Sequence, residues 1–227
     1  MNRMPRTRLF GSSIATKLWI GATGLFLVLY LLVHVGGNLI VFLGPDTFNR
    51  YSHTLLNNPL IWLIEVVLVV AFVLHVVKTL AMYLANQKAR PVRYEAKRPA
   101  GPPSRKTFAS STMIVSGLWL LVFIVIHVKT FKFGPDYRAA GAEGFHDLYR
   151  VEMENFSSPL AVAFYVLSML VVGSHLWHGA SSACQSLGIV GPRWTPRVLA
   201  AGKVLAVLIA GGFIVIAVWA HFGGAGS

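Results

Sequence analysis

Cysteine is almost absent from this chain, because Cys184 is the only one among 227 residues. No disulfide can form within the chain. One thiol cannot by itself supply the ligands of an iron–sulfur cluster, a CxxCH haem attachment or a cysteine zinc site. Acidic residues are also scarce, with 8 Asp and Glu against 20 Lys and Arg.

Charge of either sign is low for the size of the chain. Charged residues make up 12% of the sequence and hydrophobic residues 55%. So little polar surface cannot cover an ordinary soluble domain. The high hydrophobicity also excludes a disordered basic tail or a nucleic-acid-binding module, so no nucleic-acid partner is expected. A membrane-embedded chain is the class that is left, with lipid as its surroundings.

Five apolar segments are long enough to cross a membrane as helices, for which about 20 residues are needed. No alternating barrel pattern appears, so we predict an all-α integral membrane protein with a five-helix bundle. The predicted helices cover 14–43, 60–85, 108–133, 158–184 and 198–222 of a membrane domain at 14–222, between an N-terminal tail (1–13) and a C-terminal tail (223–227). No internal repeat is visible. Two further stretches, 46–57 and 141–155, have the spacing of short interfacial helices.

The distribution of charge predicts the orientation. Basic residues concentrate in the N-terminal tail and in the second and fourth connections, whereas nearly all acidic residues fall on the other side of the bundle. By the positive-inside rule the N-terminus is cytoplasmic, and the odd number of helices places the C-terminus outside. The basic, proline-rich connection at 86–106 suits an acidic lipid or protein surface, or serves as a topology signal alone.

Each of the first four predicted spans carries a histidine in its interior, where ionisable residues are uncommon and indicate function. His34 and His127 fall toward the outer side, and His75 and His175 toward the inner side. At 1.5 Å per residue the two levels are roughly 10–15 Å apart. One histidine pair per level is a way to hold two b-type haems between helices. The alternative for each histidine is a proton relay or a helix–helix hydrogen bond, and the matched depths favour haem.

Other residues near these levels are second candidates. His178 lies almost one turn from His175 and is an alternative ligand, or a partner of a haem propionate. Lys78 lies three residues from His75 and either pairs with a propionate or extends to the headgroups. Five glycines offer room for a haem or serve helix packing: Gly24, Gly36, Gly37, Gly117 and Gly173.

The first span reads SSIATKLWIGATGLFLVLYLLVHVGGN and the fourth reads SHLWHGASSACQSLG. With His34 followed by Gly37 and Asn38, and Gly179 and Gly188 after His175, the chain resembles the cytochrome b subunit of succinate dehydrogenase and fumarate reductase. Within that family it resembles the single-chain, five-helix, di-haem class often called cytochrome b558. The resemblance extends over about residues 11–222.

The resemblance implies a membrane anchor for a flavoprotein and an iron–sulfur subunit on the cytoplasmic face, in the inner (plasma) membrane of a prokaryote, with the complex in a higher oligomer as a further expectation. It implies His34 and His127 on the distal haem and His75 and His175 on the proximal haem. Electrons from succinate, oxidised to fumarate in the flavoprotein, would reach a quinone, with menaquinone expected. Gly173 stands where the glutamate-pathway fumarate reductases have an acid, which favours a succinate-oxidising enzyme of the respiratory chain and tricarboxylic acid cycle.

The quinone site is left open by the sequence. An outer site would use Glu65, Tyr51 or His53, and an inner site Ser13, Lys17 or Trp19, with the outer one slightly favoured. The main alternative function is the cytochrome b subunit of another quinone-linked complex, such as a fumarate reductase, hydrogenase or formate dehydrogenase. A third hypothesis is a haem-free transporter or scaffold, but no repeat symmetry supports a transporter.

Overall fold

The computed structural model describes residues 12–89, 108–139, 144–189 and 191–223. Residues 1–11, 90–107 and 224–227 lie outside the described residues, and they include most of the two predicted tails and of the basic connection. The helices are α1 (Ser13–Asn38), α2 (Pro45–Leu56), α3 (Leu60–Lys88), α4 (Phe108–Ser111), α5 (Met113–Phe131), α6 (Leu148–Ser157), α7 (Pro159–Ser186) and α8 (Thr195–Gly223). A 3₁₀ turn, Leu39–Leu43, extends α1.

Five of these helices are long and apolar enough to cross a membrane: α1 with its 3₁₀ turn, α3, α5, α7 and α8. The prediction of an all-α, five-helix membrane protein is therefore confirmed, and the chain is a multi-pass membrane protein. The third predicted span is divided at Thr112, whose hydroxyl bonds back to the carbonyls of Phe108 and Ala109 and separates α4 from α5.

Local sequence explains where the long helices begin and end. Ser12 caps α1 by accepting a hydrogen bond from the amide of Ala15. Ser158 caps α7 in the same way, and Pro159 fits the first helical position because no amide hydrogen is needed there. At the other end of α7, Gly188 has φ of 68°, a left-handed conformation that terminates helices and favours glycine.

Helix α7 is the centre of the bundle. It packs most extensively on α8 and also on α1 and α5, whereas the main neighbour of α3 is α1. Small residues let α7 and α8 approach closely, since a Cβ built on Gly173 would lie 3.2 Å from Cβ of Ala210. Gly173 thus serves the packing of α7 on α8. Two helix pairs, α1 with α5 and α3 with α7, are not among the closely packed ones in the described residues.

Helices α2 and α6 lie together at one end of the bundle. Asn49 joins them, because its Nδ2 donates to Asp147 at 2.8 Å and its Oδ1 accepts from the amide of Tyr149 at 2.9 Å. We call this end, where α1 ends and α3 begins, the outer end, after the predicted orientation. The two short helices were predicted at 46–57 and 141–155. Of the second stretch, residues 141–143 lie outside the described residues, and α6 begins at Leu148, where Asp147 caps it.

Candidate cofactor site: two histidine pairs at two levels

The outer pair consists of His34 on α1 and His127 on α5. Their ring centroids are 5.9 Å apart and the rings meet at 84°, edge to face. Aromatic rings surround them. Tyr30 stacks on His34 at 5.4 Å, and Phe213 of α8 also lies 5.4 Å away. Phe123 stacks on His127 at 5.6 Å. Four helices thus enclose the outer pair, since Tyr165 of α7 also contacts His127.

The polar atoms of the outer pair are unequally partnered. Asn38 lies one turn after His34, and its Nδ2 is 2.8 Å from the His34 carbonyl and 3.3 Å from Nδ1 of the ring. Nδ1 of His127 is buried with no hydrogen-bond partner among the described residues. A buried nitrogen without a partner is costly, so this level has the capacity to bind a further group.

The inner pair consists of His75 on α3 and His175 on α7. Nδ1 of His75 lies 3.2 Å from the hydroxyl of Thr23 on α1. Nδ1 of His175 lies 2.9 Å from the hydroxyl of Ser116 on α5. The two histidines also lie within electrostatic range of each other. Each inner ring is therefore held by a hydroxyl on a different helix.

Two of the glycines singled out in the sequence face these inner rings. A Cβ on Gly24 would lie 3.1 Å from Cε1 of His75, and one on Gly117 would lie 3.7 Å from Cε1 of His175. Gly37 faces Tyr51 instead, with a Cβ position 2.5 Å from its Oη. Glycine at 24 therefore provides space that a side chain would take from the His75 ring.

The two predicted histidine pairs come from the two helix pairs that do not pack closely, and the outer pair makes a ring contact across its gap. His34 and His127 belong to α1 and α5, and His75 and His175 to α3 and α7. All four side chains keep part of their surface accessible although they lie within the bundle. Facing imidazoles across a gap between helices are the arrangement that a flat, metal-centred group requires.

The outer distance agrees with this requirement. Imidazole nitrogens bind first-row metals at about 2 Å, so two rings on opposite sides of one metal have centroids roughly 6 Å apart. No group of three or more His, Cys, Asp or Glu that could hold a bare metal ion is found in the described part of the chain. A bis-histidine haem needs only two protein ligands, so the residues present fit haem as the group.

His178, the alternative ligand, and Lys78, the candidate partner of a haem propionate, have different surroundings. His178 lies within electrostatic range of His175, but the hydroxyl contact of the inner level is made by His175. No ion pair joins Lys78 to another residue among those described. Within the described part of the chain the charge of Lys78, three residues from His75, is thus unpaired.

The three outer quinone candidates have three different partners. Glu65 pairs with Lys132, which follows α5. His53 stacks on Phe145 at 3.8 Å, and Tyr51 lies over Gly37 and lines a surface groove of about 550 Å³ with Asp46 and Arg50. The inner candidates Ser13, Lys17 and Trp19 are exposed on the first turns of α1. Glu65 also lies within electrostatic range of Tyr30, which stacks on His34.

Sequence reasoning missed the two hydroxyl partners, Thr23 and Ser116. A signal for them was present, because His34 follows Thr23 by eleven residues and His127 follows Ser116 by eleven. Sequence reasoning also missed Glu152 of α6, which is only 4% exposed. Burial raises the pKa of the Glu152 carboxyl to about 8, so this acid at the outer end of the bundle is neutral at ordinary pH.

Comparisons with protein-family models, with curated proteins and with solved structures found no match to this chain. The class established by fold is an all-α, multi-pass membrane protein with five helices long and apolar enough to cross a membrane.

Proposed function

We propose that this chain is the membrane anchor and di-haem cytochrome b subunit of a succinate:quinone oxidoreductase. The observation that supports the proposal best is the ring contact of His34 with His127 across two helices that do not pack closely. His75 and His175 lie within electrostatic range of each other on the second such pair of helices. Further support comes from the resemblance of the first and fourth spans to that family. Flavoprotein and iron–sulfur partners, with only Cys184 here, would carry the succinate chemistry.

In this proposal the four histidines are the axial ligands of two b haems. Haem supplies a reversible one-electron couple when bound. The chain's own residues do the rest: they orient the imidazoles, exclude water from the bundle with aromatic rings such as Phe123 and Phe213, and fix two levels across the membrane. Along α1, the distance from the Thr23 contact with His75 to His34 is eleven residues, or about 16 Å.

Quinone binding is proposed at the outer end. Glu65 supports this placement, since it is an acid close to the outer histidine level through Tyr30. A carboxyl group held near a membrane-embedded site is suited to donate or accept a proton. The quinone is proposed to be menaquinone, and the membrane the prokaryotic plasma membrane, both on the resemblance alone.

Haem content tests the proposal. The complex is purified from membranes with its partners, and haem per chain is measured by pyridine haemochrome and by a reduced-minus-oxidised spectrum. We expect two b haems per chain, both reducible by succinate through the partner subunits. Absence of haem from fully assembled material would refute the proposal, and two haems that succinate fails to reduce would point to another quinone-linked cytochrome b.

A further inference from the structure

Thr23–Gly24 on α1 and Ser116–Gly117 on α5 occupy equivalent places in the bundle. Each pair presents a hydroxyl to Nδ1 of an inner histidine and a glycine to Cε1 of the same ring. His75 lies on α3, the spanning helix that follows α1, and His175 lies on α7, the spanning helix that follows α5. We call these two dipeptides the hydroxyl–glycine pairs.

The same two helices carry the outer histidines at the same spacing. Eleven residues separate Thr23 from His34 and Ser116 from His127. At 3.6 residues per turn, eleven residues complete about three turns, so hydroxyl and histidine project from nearly the same side of the helix. Helices α1 and α5 are therefore alike: each carries one outer histidine and, eleven residues before it, a hydroxyl that contacts an inner histidine. No such repeat is visible in the sequence as a whole.

The hydrogen-bond directions determine what each hydroxyl can offer. Thr23 Oγ1 donates to the carbonyl of Trp19 at 2.7 Å, and Ser116 Oγ donates to the carbonyl of Met113 at 3.1 Å. A hydroxyl has only one hydrogen to donate but two lone pairs. Both hydroxyls are thus left as acceptors toward the histidine rings.

It follows that His75 and His175 each donate from Nδ1–H. A neutral imidazole with its proton on Nδ1 has its lone pair on Nε2, and this is the atom that binds a metal. The outer pair differs. Nδ1 of His34 faces the amide of Asn38, and Nδ1 of His127 has no partner in the described residues.

We propose that Thr23 and Ser116 are positioning residues of the inner cofactor site, whose hydroxyls hold His75 and His175 in the Nδ1–H tautomer with Nε2 as the free ligand atom. This inference rests on the proposed function. Hydrogen bonds from the second nitrogen of a ligating histidine orient the ring and make it a stronger donor to the metal. The inner haem is thus stabilised in its oxidised form relative to one without these bonds.

The two supports are not equally strong. The contact of Ser116 with His175 is shorter than that of Thr23 with His75, 2.9 Å against 3.2 Å. The carbonyl of Ile20 is also a hydrogen-bonding neighbour of His75 and can take over part of the role of Thr23. Loss of the Ser116 hydroxyl should therefore have the larger effect.

The test is a potentiometric titration of both haems in the assembled complex, with the variants Ser116→Ala and Thr23→Val. For Ser116→Ala we expect the ratio of reduced to oxidised inner haem at fixed potential to rise about tenfold, which is an upward shift of about 59 mV. Thr23→Val should shift it the same way but less, and the outer haem should not change. His175→Ala, which should lack the inner haem, identifies which component is which.

Thr130→Val is the matched control, because Thr130 bonds back to the carbonyl of Ile126 at 2.9 Å just as Thr23 bonds to Trp19. Ser116→Thr restores the hydroxyl and should restore the potential. If Ser116→Ala does not assemble, Ser116→Cys, with a weaker acceptor, should give a smaller shift in the same direction. An inner haem that titrates in the Ser116 and Thr23 variants as in Thr130→Val, or a shift confined to the outer haem, overturns the inference. Wild-type complex without two haems instead refutes the proposed function.

Discussion

His34 and His127 meet edge to face with their ring centroids 5.9 Å apart, although they come from helices whose backbones are not closely packed. The contact depends on side chains reaching into a gap. Removal of either ring should therefore leave the helices in place and abolish only what the pair holds.

The first prediction is that His34→Ala and His127→Ala each lose the outer haem and keep the inner one, because one imidazole alone leaves an axial position of the iron unfilled. His75→Ala and His175→Ala should do the reverse. Pyridine haemochrome should fall from two haems per chain to one in all four variants. His146→Ala is the control, since His146 binds Asp136 in the outer connection at 2.9 Å. Loss of the inner haem on replacement of His178, with His175→Ala unaffected, would contradict the choice of ligand.

Gly24 and Gly117 give the second prediction. A Cβ at 24 would lie 3.1 Å from the ring of His75, a tight contact, whereas at 117 the distance to His175 is 3.7 Å, an ordinary one. Gly24→Ala should therefore displace the His75 ring and lower the content of inner haem, and Gly117→Ala should retain both haems. The reduced-minus-oxidised spectrum measures this. Equal loss in both variants would mean that helix packing, and not the ring contact, explains the glycines.

The fold was predictable because its determinants are local. Span length and hydropathy are enough to place five helices. With the fixed rise of 1.5 Å per residue they also predict two levels for His34, His75, His127 and His175. The short helix at Pro45–Leu56 follows from Gly44, with φ of 93°, and from proline at the first helical position.

The side-chain contacts were not predictable in the same way. The contact of Ser116 with His175 joins residues 59 apart in sequence, and its existence depends on how α5 and α7 are rotated against each other. Hydropathy does not determine that rotation. The burial of Glu152 was missed for a similar reason, because its neighbour Tyr165 comes from another helix. An acid in an outer connection has no local pattern that marks it as buried.

The ion pair between Glu65 and Lys132 gives the third prediction. Both side chains are partly exposed, 37% and 47%, so the pair contributes at most about 1 kcal/mol to stability. Glu65→Gln should leave the melting temperature of the complex nearly unchanged. If Glu65 exchanges the quinone's protons, the same change should lower kcat for quinone reduction roughly 100-fold.

Lys132→Met separates the two roles of this pair. It breaks the ion pair but keeps the carboxylate, so quinone reduction should stay within a few-fold of wild type. Steady-state turnover with a soluble quinone analogue measures both variants. Equal losses of turnover in Glu65→Gln and Lys132→Met would show that the ion pair acts by holding the structure and not by proton transfer. The outer quinone site would then need another acid.

The last prediction concerns Glu152. Burial raises the pKa of this carboxyl from 4.5 to about 8 in the folded chain. At pH values between these two, the carboxyl is protonated in the folded state and ionised in the unfolded state. The contribution of Glu152 to the free energy of unfolding is therefore largest below about pH 4.5, falls as pH rises toward 8, and is constant above that. Each unit of pKa difference corresponds to about 1.4 kcal/mol, so the total loss is a few kcal/mol.

Glu152→Gln keeps the shape of the side chain and removes the titration. The melting temperature of the detergent-solubilised complex should therefore vary less between about pH 5 and about pH 9, a window that covers most of the interval between the two pKa values and extends about one unit above the upper one. Glu154→Gln is the matched control two residues away. The bond from Arg150 lowers the pKa of Glu154 on the exposed side of α6, so its small contribution to stability is lost as pH falls, the opposite sign. A wild-type profile as flat as that of Glu152→Gln would mean that water or a bound group reaches the carboxyl and holds it ionised at the outer end.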